Sequence, residues 1–264
     1  RFTSMFYQFP LIKNEKRESA IVAGQIGTGK STLIEKARSE SRVSFDIQIA
    51  LDTEIPLYDR GAFWGVFLGK IFRFADEKAC DVSPFRFSED LLGIKYTDGG
   101  IIKLVEALCA KPLSFSDFNE KKKLYNMIDE KLEFIKRQLK DIVELIENKI
   151  GRKLFIFAEG VDKFNLHSPE YVSLLDFLNF LNRCKTLYEA NLIHLTGGVQ
   201  EWHHGKKHYL TGTTSKRIHE ILKKRLGVYG KEKKAVLPVL ANLSGGNVRQ
   251  GIRLLVEYDY AFGK

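Results

Sequence analysis

Gly24-Gln25-Ile26-Gly27-Thr28-Gly29-Lys30-Ser31 is the stretch from which the rest of the chain can be read. It fits the eight-residue pattern G-x-x-x-x-G-K-[ST]. Glycines let the backbone curl until successive N–H groups point inward at a β-phosphate, and the start of a helix adds its positive dipole end. Lys30 is then placed to reach β- and γ-phosphate oxygens, and Ser31 to ligate Mg²⁺. Such a match needs a strand before it and a helix after it. Ala20-Ile21-Val22-Ala23 precedes the glycines, and Thr32-Leu33-Ile34-Glu35-Lys36-Ala37 follows with helical spacing. The residues Gly24, Gln25, Ile26, Gly27, Thr28, Gly29, Lys30, Ser31 and Thr32 are therefore expected to cradle a nucleotide.

Working outward, strand-like and helix-like segments alternate. Val43 to Leu51 alternates as a strand, Ala62 to Ala75 is aromatic-rich with helical spacing, and Glu120 to Lys149 reads as one long amphipathic helix ending at Gly151. Lys153-Leu154-Phe155-Ile156-Phe157-Ala158 is a near-continuous apolar run, as expected of a central parallel strand covered on both faces. Tyr171 to Lys185 reads as a helix, and Asn191-Leu192-Ile193-His194-Leu195-Thr196 as another buried strand closed by Gly197-Gly198. From Thr214 onward only helical patterns remain, which implies a small helical C-terminal domain. The expected fold is α/β, a central parallel sheet flanked by helices, with residues 1–212 as the nucleotide-binding core and 213–264 as a small all-helical lid.

Composition sets outer bounds. With 264 residues, 44% of them hydrophobic, the chain can bury one substantial core. Its apolar runs fall short of the ~20 residues that span a bilayer, and Arg1 to Pro10 lacks the apolar core of a signal peptide. A soluble, cytoplasmic protein with no membrane partner is expected. The chain opens on Arg rather than Met, which leaves open that it belongs to a longer protein. Cys80, Cys109 and Cys184 are scattered, with no C-x-x-C spacing, and are expected to be reduced thiols. A formal charge of +9 raises a polyanion such as DNA as a partner, against a generally basic surface with no specific partner.

A phosphate-binding loop needs a carboxylate at the tip of a neighbouring buried strand, to hold Mg²⁺ directly or through water and to orient the attacking water. Glu159 ends the apolar run and Asp162 lies just beyond it. Downstream, Leu243-Ser244-Gly245-Gly246-Asn247-Val248-Arg249-Gln250 begins like the signature of ABC transporters. In that family the signature precedes the acidic strand, whereas here it follows it, so order argues against a transporter.

With Ala158-Glu159-Gly160-Val161-Asp162-Lys163 as the acidic-strand motif and Gly245-Gly246-Asn247-Val248-Arg249 in the helical tail, the chain resembles the AAA+ and STAND branch of P-loop ATPases. It is most similar there to the origin-recognition and Cdc6-like members, and the resemblance covers nearly the whole chain. It implies ATP and Mg²⁺ as cofactors, Ser31 and Glu159 as metal-holding residues, and Lys30, Glu159, Asp162, Thr196 and Arg249 as catalytic ones. Thr196 falls where such ATPases place a polar sensor of the γ-phosphate, and Arg249 where they place the lid arginine that couples nucleotide state to lid angle. A strand-end turn residue and an exposed helix arginine are the plain alternatives for these two. The chain departs from the family in having Glu at 159 where Asp is usual, with Gly160 in place of a second acidic residue. Residues 199–208 offer only Lys206 and Lys207 where an arginine finger would reach a neighbouring subunit.

Other readings are weaker. Trp202 to His208 carries three histidines but no cysteine or carboxylate to complete a metal site, and is expected to be a solvated loop. Asn148-Lys149-Ile150-Gly151 lacks the Asp of a guanine-reading N-K-x-D strand end. Lys121-Lys122-Lys123 and Lys231-Glu232-Lys233-Lys234 read first as solvated helix ends rather than phosphate contacts. Two functions from different classes remain. One is an ATP-hydrolysing switch or motor acting on DNA. The other is a STAND-like signalling or defence module whose nucleotide state controls a protein partner or a homo-oligomer.

Overall fold

A computed structural model describes residues 19–41, 44–55, 60–95, 98–109, 115–165, 168–192, 206–226 and 235–262. Among these, five strands form one parallel sheet: β1 (Ala20–Gly24), β2 (Ile47–Ala50), β3 (Phe155–Glu159), β4 (Lys185–Ala190) and β5 (Lys206–Leu210). Their spatial order is β2-β3-β4-β1-β5, so β1 lies between β4 and β5, and every pairing is parallel. Parallel neighbours require crossovers, and helices supply those from β1 to β2, β2 to β3 and β3 to β4. Helix α1 (Lys30–Ser41) follows β1, and α2 (Leu51–Glu54), α3 (Arg60–Glu77), α4 (Phe87–Leu92), α5 (Gly100–Cys109), α6 (Phe115–Glu130) and α7 (Leu132–Ile150) lie between β2 and β3. Helix α8 (Pro169–Leu181) joins β3 to β4, and α9 (Ser215–Leu226), α10 (Leu237–Leu243) and α11 (Val248–Phe262) close the chain.

The period of two along each strand divides the core. Ala20, Val22, Phe155, Phe157 and Leu187 project to one face, where Ile34 of α1 packs on them. Ile21, Ala23, Ile47, Ile49, Ile156, Ala158 and Tyr188 project to the other, under a thick layer that includes α3, α7 and α8. Ile218, Leu222, Leu237, Leu240, Ala241 and Leu255 form a separate small core among α9, α10 and α11. The expected α/β fold with a helical C-terminal domain is what the chain forms.

Helix α3 reaches its partners through a stripe of small residues. Gly61, Gly65 and Gly69 fall on one face at four-residue spacing. A Cβ on Gly61 would stand 2.0 Å from the Tyr125 carbonyl oxygen, one on Gly65 2.7 Å from the Tyr125 ring, and one on Gly69 2.7 Å from Cys109 Sγ. The stripe lets α3 press directly on α6 and α5. On the opposite side Phe63, Trp64 and Phe67 pack against Phe177 of α8 with ring centroids 5.4 to 5.8 Å apart.

Several expectations need correction. The long helix starts at Phe115, before Glu120, and breaks at Lys131, where φ is −101° and ψ 15°; the Lys131 ammonium donates to the Asp90 carbonyl at 2.9 Å, tying the break to α4. Its far end at Gly151 is as expected, a left-handed cap at φ 68°. A strand forms upstream of the one expected at Asn191–Thr196, at Lys185–Ala190, and the helix expected to reach Lys185 stops at Leu181. Asn191 and Leu192 follow the strand end, and Ile193 to Thr196 lie outside the described residues. Lys206, Lys207 and His208, expected in a solvated loop, begin the edge strand β5, paired with β1 from Ala20↔Lys206 to Gly24↔Leu210. An edge position explains its polar composition, since among the described residues one side of the strand has no sheet neighbour, and lysines on an edge discourage further pairing. The three cysteines are free thiols. Among the described residues no helix is long and apolar enough to cross a membrane.

Candidate functional site

The carboxyl ends of β1, β3 and β4 converge beneath the first turn of α1, the place where open parallel sheets build their ligand sites. A cleft of about 880 Å³ opens there, between the sheet edge and the C-terminal helices. Its floor is the loop from Gln25 to Gly29. Gly27 at φ 85° and Gly29 at φ 88° adopt the left-handed conformation that other residues avoid, so the glycines of the motif are required by the backbone itself. Thr28 ties the turn, its N–H and hydroxyl both donating to the Gln25 carbonyl at 3.3 and 2.8 Å. A Cβ on Gly29 would meet nothing within 4 Å, so open space lies above this point.

Lys30 is only 4% exposed. Its ammonium folds back over the loop, donating to the Gly24 and Gln25 carbonyls at 3.0 and 3.2 Å and to Asp162 Oδ2 at 3.5 Å, with Glu189 Oε1 at 4.0 Å. A buried cation is stable only when so surrounded. Asp162 is delivered by a short 3₁₀ turn, Val161–Lys163, which follows β3 after Gly160 at φ 83°. Gly160 is left-handed, and a Cβ on it would stand 3.1 Å from the Asp52 backbone nitrogen, so the second acidic residue that the resemblance would place at this position would be strained. Glu159 lines the cleft, and its carboxylate accepts a hydrogen bond from Gln48 Nε2 of β2 at 3.0 Å.

Glu189 is a site residue that the sequence reading missed. It shares the face of β4 with Leu187, is 7% exposed, and accepts the Ser31 hydroxyl at 3.0 Å. Burial pushes its pKa up; the Ser31 hydrogen bond and the Lys30 charge pull it down, and the neighbouring Asp162 and Glu159 push it up again. The available signal was a lone carboxylate in the otherwise apolar-tipped segment Leu187-Tyr188-Glu189-Ala190, hidden because the strand itself was expected further along.

The C-terminal motif closes the cleft from the other side. Ser244 is buried, its hydroxyl donating to the Ala241 carbonyl at 2.6 Å. Gly246, at φ 80°, lets the backbone approach residue 213: a Cβ would lie 2.4 Å from the Thr213 carbonyl oxygen, and Thr213 N–H donates to the Gly246 carbonyl at 2.8 Å. Asn247 then reaches across to the Gln25–Gly29 loop, donating from Nδ2 to the Ile26 carbonyl at 2.6 Å. Arg249 N–H meets the Gly27 carbonyl at 3.5 Å, and its side chain is exposed at the cleft wall. Asn247 is a second residue the sequence reading left without a role.

Asn247 is thus a latch between the C-terminal helices and the loop. Replacing it with alanine removes its bond to Ile26 and the bond its Oδ1 accepts from Gln250 N–H. Two such bonds carry about 1–2 kcal/mol together. Asn247→Ala is expected to raise amide hydrogen exchange in residues 26–29 and 247–250 by roughly tenfold, with the sheet unaffected. Unchanged exchange in both segments would show that the latch does not hold them.

Among the described residues no group of three or more His, Cys, Asp or Glu side chains is arranged to hold a metal by itself. Mg²⁺ does not need one, because in phosphate-loop sites it keeps waters and takes one or two protein oxygens plus the substrate's phosphates. Ser31 with a nearby carboxylate is a donor set of that kind.

The chain is similar to the Aeropyrum pernix ORC1 protein, solved in complex with DNA, at 14% identity and a TM-score of 0.46; the match covers 96% of this chain and 57% of that one. It is also similar to the Aeropyrum pernix ORC2 protein, solved as ADPNP–ADP complexes, at 13% identity and a TM-score of 0.45, covering 100% of this chain and 62% of that one. The chain therefore spans less than two thirds of the length of either protein. No protein-family model matches it, and no curated protein matches it.

Proposed function

We propose that the chain binds ATP with Mg²⁺ in this cleft and hydrolyses it, in the manner of an AAA+ ATPase of the origin-recognition and Cdc6-like kind, and that nucleotide state is passed to DNA through the helical lid, residues 213–264. The observation that carries the reading is the left-handed Gly27–Gly29 loop running into α1 with the Lys30 ammonium buried at its mouth. That ammonium now rests on loop carbonyls and carboxylates, which are the partners that phosphate oxygens would replace.

In this reading the loop N–H groups and Lys30 bind the phosphates, and Ser31 with a strand-end carboxylate would hold Mg²⁺, which when bound would neutralise phosphate charge. Asp162 or Glu159 orients a water whose oxygen bonds to the γ-phosphorus as the bond to the bridging oxygen breaks, releasing ADP and phosphate. Arg249, at the cleft wall beside Gly27, answers to the γ-phosphate and moves the lid; Thr196 is proposed as a second sensor. Support for a DNA partner comes from the net charge of +9 and from exposed Lys216, Lys223, Lys224 and Arg225 on α9, in the lid. Exposed Leu243, Val256, Tyr260 and Phe262 on α10 and α11 favour the second reading, a STAND-like switch whose lid engages a protein.

Steady-state ATP turnover with and without duplex DNA, across a salt series, separates the two. The DNA-coupled reading expects turnover to rise severalfold with DNA and the stimulation to fade between about 50 and 200 mM salt. Turnover indifferent to DNA at every salt concentration would favour the protein-gated switch.

A further inference from the structure

We propose that Glu189, at the end of β4, is the carboxylate that positions Mg²⁺ on Ser31, and that Glu159, the acidic residue at the tip of β3, does not perform this task; the assignment rests on the reading of the cleft as a Mg²⁺-nucleotide site. The two glutamates lie side by side, because Tyr188 of β4 pairs with Ala158 of β3, and both project to the face of the sheet that α1 covers. Their engagements differ. The Glu189 carboxylate accepts the Ser31 hydroxyl at 3.0 Å. The Glu159 carboxylate is turned the other way along the sheet, toward β2, and accepts Gln48 Nε2 at 3.0 Å. The strand order explains the difference. β4 sits between β1 and β3, so its tip lies next to the strand that leads into α1, whereas β3 is one strand further out.

The chemistry is compatible with the bond already present. A serine hydroxyl ligates Mg²⁺ through an oxygen lone pair and keeps its hydrogen, so the Ser31 hydroxyl can go on donating to Glu189 while its oxygen faces a metal. A carboxylate in that position also accepts from metal-bound waters, and partners of this kind orient the ligand and raise its basicity. Glu189 is a positioning residue acting through Ser31. Lys30, with its ammonium 4.0 Å from Glu189, supplies the countercharge that keeps the carboxylate in place.

The test is the affinity of the full chain for a non-hydrolysable ATP analogue, titrated in Mg²⁺ and again in EDTA, for wild type, Glu189→Gln and Glu159→Gln. Outer partners of metal ligands cost about 10–100-fold in metal affinity when removed. Glu189→Gln is expected to lose that much of the Mg²⁺-dependent gain while keeping its metal-free affinity, and Glu159→Gln to keep the gain within about threefold. Glu189→Asp, which retains the charge on a shorter arm, is expected to fall between wild type and Glu189→Gln. A Glu189→Gln protein with the full Mg²⁺ gain, or one weakened equally with and without metal, overturns the assignment while leaving the nucleotide site standing. Wild type that binds the analogue in neither condition overturns the reading beneath it.

Discussion

Lys30→Ala is expected to lower ATP turnover by about 10²–10³-fold, the range seen when one preorganised charge is removed from a transition state. Among the described residues Lys30 is the one buried cation, 4% exposed, and its ammonium is surrounded by two carbonyls and the carboxylates of Asp162 and Glu189. Truncating it removes the group proposed to reach the β- and γ-phosphates and also leaves those carboxylates facing one another. Breaking a buried charge cluster from one side costs several kcal/mol, so the variant is also expected to unfold at lower denaturant concentration. Urea denaturation alongside the turnover assay separates the two effects: lost turnover in a protein that is still folded at the assay temperature belongs to chemistry. Wild-type turnover in the folded variant would exclude Lys30 from the reaction.

The second large effect is structural. Gly61→Ala places a methyl group 2.0 Å from the Tyr125 carbonyl oxygen, a backbone atom that no rotamer change can move. Helices α3 and α6 must separate by more than an ångström, opening gaps around Phe63, Trp64 and Phe67 on the other side of α3. Overpacking a core costs about 1–3 kcal/mol, and a clash with backbone belongs at the upper end or beyond. A fall of about 3 kcal/mol in unfolding free energy by urea denaturation is expected. Gly93→Ala is a useful comparison, since its Cβ would meet nothing within 4 Å and it pays only for a left-handed φ of 67°. Equal stability losses in the two variants would mean that the α3–α6 contact is not as close as it stands here.

These two sites differ in how they could be read from residues alone. The strand–loop–helix geometry around Gly24–Ser31 was legible because its signal is local: glycines, lysine and serine at fixed spacing between a strand and a helix need no distant partner to be recognised. Strand β3 was legible because burial on both faces leaves a near-continuous apolar run. The glycine stripe of α3 was not, since its meaning lies in Tyr125 and Cys109, far along the chain. Strand β4 was displaced in the reading for a related reason. Lys185, Thr186 and Glu189 interrupt its apolar character, and Glu189 lines the cleft, so the more apolar Asn191–Thr196 segment was read as the strand. Local sequence rules fail most often where function overrides packing. Strand β5 was hidden by its edge position, which permits a lysine-rich sequence. The lid motif was read as one candidate arginine, whereas its described contacts divide the work among Ser244, Gly246, Asn247 and Arg249, only the last of which faces the cleft.

Calorimetric titration of the full chain with a non-hydrolysable ATP analogue in Mg²⁺ tests the central claim most directly, with Lys30→Ala as the comparison. Saturable binding at one site per chain, displaced by ADP and weakened at least about tenfold in the variant, is the result predicted for a nucleotide held between the Gly27–Gly29 loop and the lid. Absence of binding to the wild-type chain, or binding that Lys30→Ala leaves unchanged, would contradict it.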